Sequence, residues 1–141
     1  MEGLTDLAQL LAGMSPQLCD EQFVFCTFPG SAYGDHAELK PVAAFLEEEG
    51  MSLVVPRARA DAAGLDYDCL FCAITLSVHS SLEAVGLTAA VAGALAEEGI
   101  SANVAAAYYH DHLFVPVDDA QQAMQILNEL SAKPLTDDGP V

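Results

Sequence analysis

Basic residues are nearly missing from this sequence. Lys40, Arg57, Arg59 and Lys133 stand against 21 Asp and Glu, leaving a net charge of −17. A surface this negative repels phosphate, which excludes nucleic acid as a partner and an anionic membrane surface as a platform. The charge is not gathered into a tail. Residues 1–69 carry 12 acids and 3 bases, and residues 70–141 carry 9 and 1. Scarce lysine with evenly spread acid also fits a protein that works at high salt, where screening shortens the repulsion to a few ångströms. Such a protein is expected to fold less well in low salt.

Long apolar runs are also missing. No stretch approaches the ~18 residues that span a bilayer. The start "MEGLTDLAQLL" has no basic segment and no small-residue cleavage site, so a signal peptide is not expected and a cytoplasmic location is. Cysteine is sparse. Cys19 and Cys26 have six residues between them, and Cys69 and Cys72 form C-x-x-C. That last pair lies on the approach to a strand, where residues three apart face opposite sides, so all four read as small core residues in a reducing compartment. No Walker motif, dinucleotide glycine pattern or G-x-S-x-G elbow occurs. Ser80 and Ser81 adjoin His79 too closely in sequence for a hydroxyl to reach the imidazole easily. No enzyme activity and no cofactor are expected.

What is present is a core. Hydrophobic residues make up 52% of the chain, and a chain of this length buries roughly two thirds of its unfolded surface without disulfides or metal. Leu4, Leu7, Leu10 and Leu11 share one helical face, and Gly13 ends that helix. "SPQLCDEQFVFCTF" reads as a short strand, a turn at Asp20 and Glu21, and a stronger strand over residues 22–28. From Glu38 the spacing predicts a helix with Leu39, Val42, Ala43 and Leu46 inward, Pro41 in its first turn and Gly50 as its stop. "MSLVV" is the next strand. Residues 57–68 form a polar connection and the boundary between halves.

The second half alternates clearly from Cys72 to Val78, with Ile74, Leu76 and Val78 on one face. Leu87, Val91 and Leu95 mark the buried stripe of a helix over 86–98 that Gly99 closes. Residues 100–109 form a strand, His110 and Asp111 a tight turn, and "HLFVPV" the returning strand. Asp118 or Asp119 caps a last helix with Ala120, Met124, Leu127 and Leu130 inward. The order strand, helix, strand, strand, helix is most of a split βαβ unit. The fold class expected is α+β, with two ferredoxin-like βαββα-type halves, 1–66 and 67–132, each an antiparallel sheet covered by helices. Residues 133–141 are expected to be a flexible tail.

The junction "VHSSLEAVGLT" carries the candidate site. A helix start offers unpaired N–H groups and a partial positive charge, so a carboxylate docks there without lysine. Gly86 lets a ligand approach the backbone, and Leu87 supplies the next amide. Ser80 and Ser81 can donate to a carboxylate, and Glu83 can hold an ammonium group. Against a charge of −17 a zwitterion is drawn in more easily than an anion, which favours an amino acid. The plainer reading makes a serine the helix cap and His79 a solvated loop residue. Asn103 points with Ser101 to the polar face of its strand, toward a ligand or toward water. His110 and His112 flank an acid two apart on one strand face, and with His79 they form an alternative, metal-binding set.

The segment "GLTAAVAGALAEEGISANVAAAYYHDHLFVPVDDAQQAMQIL" resembles an ACT domain, a ferredoxin-like regulatory module that binds amino acids. With "FVFCTF" and "HSSLEAVGLTAAVA" the likeness extends over residues 4–132, to small bacterial proteins built of two ACT-like halves. It implies a pocket walled by residues 79–87 and, from a neighbouring unit, residues 101–104. Val85 precedes Gly86 where the family commonly has an acid and a proline. The implied function is a non-catalytic, amino-acid-binding regulator or sensor, a homodimer that signals through another protein. The alternatives are an assembly module with a vestigial pocket, or a metal-binding protein using His79, His110 and His112.

Overall fold

The computed structural model describes residues 6–79 and 81–132, together with the backbone of 135–136 and 139–140. The described elements are α1 (Leu7–Ala12), β1 (Pro16–Phe28), β2 (Ala43–Leu46), β3 (Met51–Pro56), α2 (Arg57–Ala62), β4 (Phe71–Leu76), α3 (Leu87–Glu97), β5 (Asn103–Ala106), β6 (Asp111–Pro116), α4 (Ala120–Ala132) and the two-residue strands β7 (Leu135–Thr136) and β8 (Gly139–Pro140). They form an α+β fold of antiparallel strands and helices, as expected.

Two compact units interleave along the chain. One comprises Met1–Cys19 with Ala73–Val141, and the other Asp20–Cys72. Strand β1 therefore begins in the first and ends in the second.

In the first unit β6 lies between β4 and β5, and α1, α3 and α4 pack on one another. The α3 stripe behaves as its spacing demands: Leu87, Val91 and Leu95 are buried, as are Leu10, Ile74, Leu76, Leu113 and Leu127. Ala120 and Leu127 of α4 are buried, whereas Met124 and Leu130 are only partly so. The tight turn lies two residues earlier than expected. The Ala107 amide donates to the His110 carbonyl at 3.0 Å, so Tyr108 and Tyr109 form the tip and Asp111 opens β6. Of the tail, residues 133, 134, 137, 138 and 141 lie outside the described residues, and β7 pairs with β8.

In the second unit β3 lies between β2 and β1. Its core gathers Val24, Leu39, Met51, Leu53, Val55 and Ala60, with Cys26, Phe28, Leu65, Tyr67 and Leu70 against it. Three expectations are overturned here. The turn at Asp20 and Glu21 is absent, and both acids sit exposed on one continuous extended strand. The helix from Glu38 is replaced by a 3₁₀ turn, Ala37–Leu39, and by strand β2, with Val42 and Leu46 about half exposed. Pro41 disfavours the α conformation at Lys40, which takes a left-handed φ of 54° instead. Glu47 and Gly50 then close a hairpin through two backbone bonds of 3.0 and 3.2 Å. The connection at 57–68 holds α2. Only Ala60 of that helix is buried, so no apolar stripe announces it.

Candidate functional site

The candidate loop leaves β4 at Ser77, whose amide donates to the Met14 carbonyl at 2.9 Å. His79 follows, and the hairpin tip of β5 and β6 comes to meet it. The His79 ring lies 5.2 Å from that of Tyr109 and 6.4 Å from that of Tyr108, and the two tyrosines meet edge to face at 5.0 Å. His110 Nδ1–H donates to the Val78 carbonyl at 3.3 Å, tying the tip to the loop. His79 Nδ1 is buried and has no hydrogen-bond partner among the described residues. Leaving such an atom unpaired costs about 1–3 kcal/mol.

Ser80 lies outside the described residues. Ser81 Oγ accepts the Glu83 amide at 3.1 Å, and its carbonyl accepts the Ala84 amide at 2.9 Å. This is a local turn in which the hydroxyl keeps its own proton to donate. Leu82 and Val85 are largely exposed, as is Glu83. Gly86 stands at the head of α3 with φ 102° and has no side chain to cap it, and no capping bond reaches that head from the described residues. The contrast is α1, where the Asp6 carboxylate accepts the amides of Ala8 and Gln9. Leu87 is buried, so what it offers a ligand is backbone.

Two placements bear on the candidate pocket. The space beside Gly86 holds protein: a Cβ built there would stand 3.3 Å from a Leu7 methyl of α1. Asn103 pairs with Phe114, while Ala106 pairs with Asp111 at the tip end. Three residues of strand put Asn103 about 10 Å from that end. Its Nδ2 donates to its own hairpin partner, the Phe114 carbonyl, at 3.3 Å. The unit thus brings His79, Ser81, Glu83, Gly86 and Leu87 onto one connection and leaves Asn103 at the other end of the hairpin. Sequence reasoning missed Tyr108 and Tyr109, which the register counted back from "HLFVPV" would have placed at the tip.

The histidine set is not a metal centre. Among the described residues no three His, Cys, Asp or Glu side chains are placed to hold an ion. His110 sits in the turn, its Nδ1 engaged by the Val78 carbonyl. His112 Nδ1 shares a 2.9 Å hydrogen bond with Thr75 Oγ1. Burial, then the neighbouring His110, lowers the His112 pKa below its ordinary 6.5, with Asp111 opposing. The unfolded chain therefore takes up this proton first as pH falls, and native stability drops through and below about pH 6.5. His112→Gln is expected to flatten that slope in urea unfolding followed between pH 7.5 and 5, and an unchanged slope would remove His112 as its source.

No described helix is long and apolar enough to cross a membrane. ACT domain models match residues 2–72 and 72–129. A crystal structure of a Vibrio cholerae protein of unknown function, described as a possible transport protein, is 56% identical, with a TM-score of 0.77 over 84% of this chain and 91% of that one. An Agrobacterium tumefaciens protein is 15% identical, with a TM-score of 0.69 over 82% and 87%. The ligand-free regulatory subunit of aspartate kinase from Thermus thermophilus is 12% identical, with a TM-score of 0.63 over 84% and 97%. The last two likenesses show the fold alone. Curated proteins give no match.

Proposed function

The chain belongs to the ACT domain family, and from that premise we propose that it is a non-catalytic regulator that binds a free amino acid. The observation that carries this reading is the head of α3, which no described side chain caps. Its first amides have no intrahelical acceptor, and they form one end of a loop that also holds a serine hydroxyl and a carboxylate. A ligand carboxylate takes the amides of Gly86 and Leu87 and the hydroxyls of Ser80 and Ser81. Glu83 receives the ammonium group, and the side chain lies toward His79. Asn103 contributes from a second copy, because in its own unit it stands at the far end of the hairpin. The working form is then a cytoplasmic homodimer that passes its signal to another protein.

Thermal unfolding with each of the twenty amino acids in turn tests this reading. One of them, at 100 times its dissociation constant, is expected to stabilise the protein by about 2.7 kcal/mol. Glu83→Gln is expected to weaken that response without changing the ligand-free midpoint, since Glu83 is exposed. Silence with all twenty would sink the proposal. One observation favours the rival, an assembly module with a vestigial pocket: the Leu7 methyl that fills the space beside Gly86.

A further inference from the structure

The second unit contains an open cleft of about 380 Å³ that includes no residue of the loop at 79–87. One wall is the end of β1, Phe25 to Phe28, and the other is the segment Leu65 to Asp68. The volume is that of a small-molecule site, and the lining specifies its chemistry. Two aromatic rings, Phe28 and Tyr67, lie on the core face of this unit beside Cys26 and Leu65, and each is held by its own neighbours. Phe28 stacks on His36 with centroids 4.0 Å apart, while the Phe25 ring alternates to the other face of β1, where it meets Phe71. The Tyr67 hydroxyl donates to Asp61 Oδ1 at 2.8 Å. Rings fixed in advance lose little freedom when a guest arrives.

The only charged groups in the lining are the carboxylates of Asp66 and Asp68. Neither receives a hydrogen bond or an ion pair from any described residue. Arg57 is engaged elsewhere, with Asp61 at 3.5 Å and Gln22 at 2.9 Å. Burial raises the Cys26 pKa, so that thiol stays neutral and adds only apolar floor. A bare metal ion would need a third ligand that the described residues do not bring there. A cation carried on an apolar body meets both features at once, with its charge at the aspartates and its body over the rings.

We propose that this cleft binds an organic ammonium ion, an amine on an aromatic or aliphatic body, independently of the amino-acid site at the head of α3. The whole surface attracts cations weakly, so the test must separate this cleft from that diffuse field. The probes are phenethylammonium, its neutral counterpart phenethyl alcohol, and methylammonium, which has the charge without the ring. They are titrated into the ¹⁵N-labelled protein by NMR. Phenethylammonium is expected to shift the amides of 25–28 and 65–68 saturably, and each other probe to bind at least about tenfold more weakly. Asp66→Asn with Asp68→Asn, both at exposed positions, is expected to abolish the response while the rest of the spectrum keeps the native pattern. Equal binding of methylammonium would reduce the effect to net charge. Equal binding of the alcohol, or no effect of the double substitution, would overturn the cation site. The double variant is expected to keep any amino-acid stabilisation, so the two sites fail separately.

Discussion

Gly50→Ala is expected to destabilise the unit Asp20–Cys72 by about 3–5 kcal/mol, a large share of the roughly 5–15 kcal/mol that holds a domain of this size. Two effects add. Gly50 has φ 153°, inside the region that side chains rarely adopt. A Cβ there would stand 2.9 Å from both N and Cα of Pro29 and 3.0 Å from the Phe28 carbonyl carbon. These are backbone atoms, so no rotamer change relieves the contact. Either the Glu47–Gly50 hairpin moves or the end of β1 does. Moving the hairpin disturbs Met51 and Leu53, which follow it and are buried. Gly64→Ala is the control, since Gly64 also has positive φ but nothing lies within 4 Å of a Cβ there. It is expected to cost only about 1 kcal/mol. Urea unfolding by far-ultraviolet circular dichroism compares them, and equal midpoints would refute the crowding argument.

The same hairpin shows where the sequence misleads. Leu39, Val42, Ala43 and Leu46 fall at helical spacing, and four acids surround them. The pattern matched a surface helix because period alone does not say which apolar residues are buried. Only Leu39 of the four is buried. The decisive sign was Lys40-Pro41, since the residue before proline is pushed out of the α region. In α3 the stripe of Leu87, Val91 and Leu95 lies between two glycines of positive φ, Gly86 and Gly99, so period and punctuation agree and the helix was legible. At the candidate site the loop itself could be read, because a strand, a run of polar residues and a helix-opening glycine follow directly in sequence. Its neighbours could not. Which residues stand beside His79 depends on the pairing of β5 with β6, and a shift of two residues at the turn decides whether Tyr108 and Tyr109 or His110 and Asp111 form the tip. Leu7 over Gly86 is a contact between segments about 80 residues apart, and no local pattern encodes it.

That contact leads to the second large effect. Gly86→Val is expected to cost about 3–5 kcal/mol, partly from a backbone at φ 102° and partly from branches driven into the Leu7 methyls. Lost stability alone would then imitate lost binding, so Gly86→Val cannot by itself decide whether the head of α3 receives a ligand. Leu7→Ala can. It removes the methyls beside Gly86, leaves the loop backbone intact, and in the Gly86→Val background is expected to restore part of the lost stability, because the two side chains compete for one space. In the unsubstituted loop the sign of its effect on amino-acid binding separates the two readings. If the α3 head is an open site, affinity is held or improved when Leu7 is cut back. If Leu7 seals a vestigial pocket, the parent protein binds nothing and only Leu7→Ala acquires a response. Calorimetric titration of both proteins with the same twenty amino acids makes the comparison. Binding to the parent that disappears in Leu7→Ala, with the fold intact, would contradict both, since it would make the Leu7 side chain itself part of the ligand's surroundings.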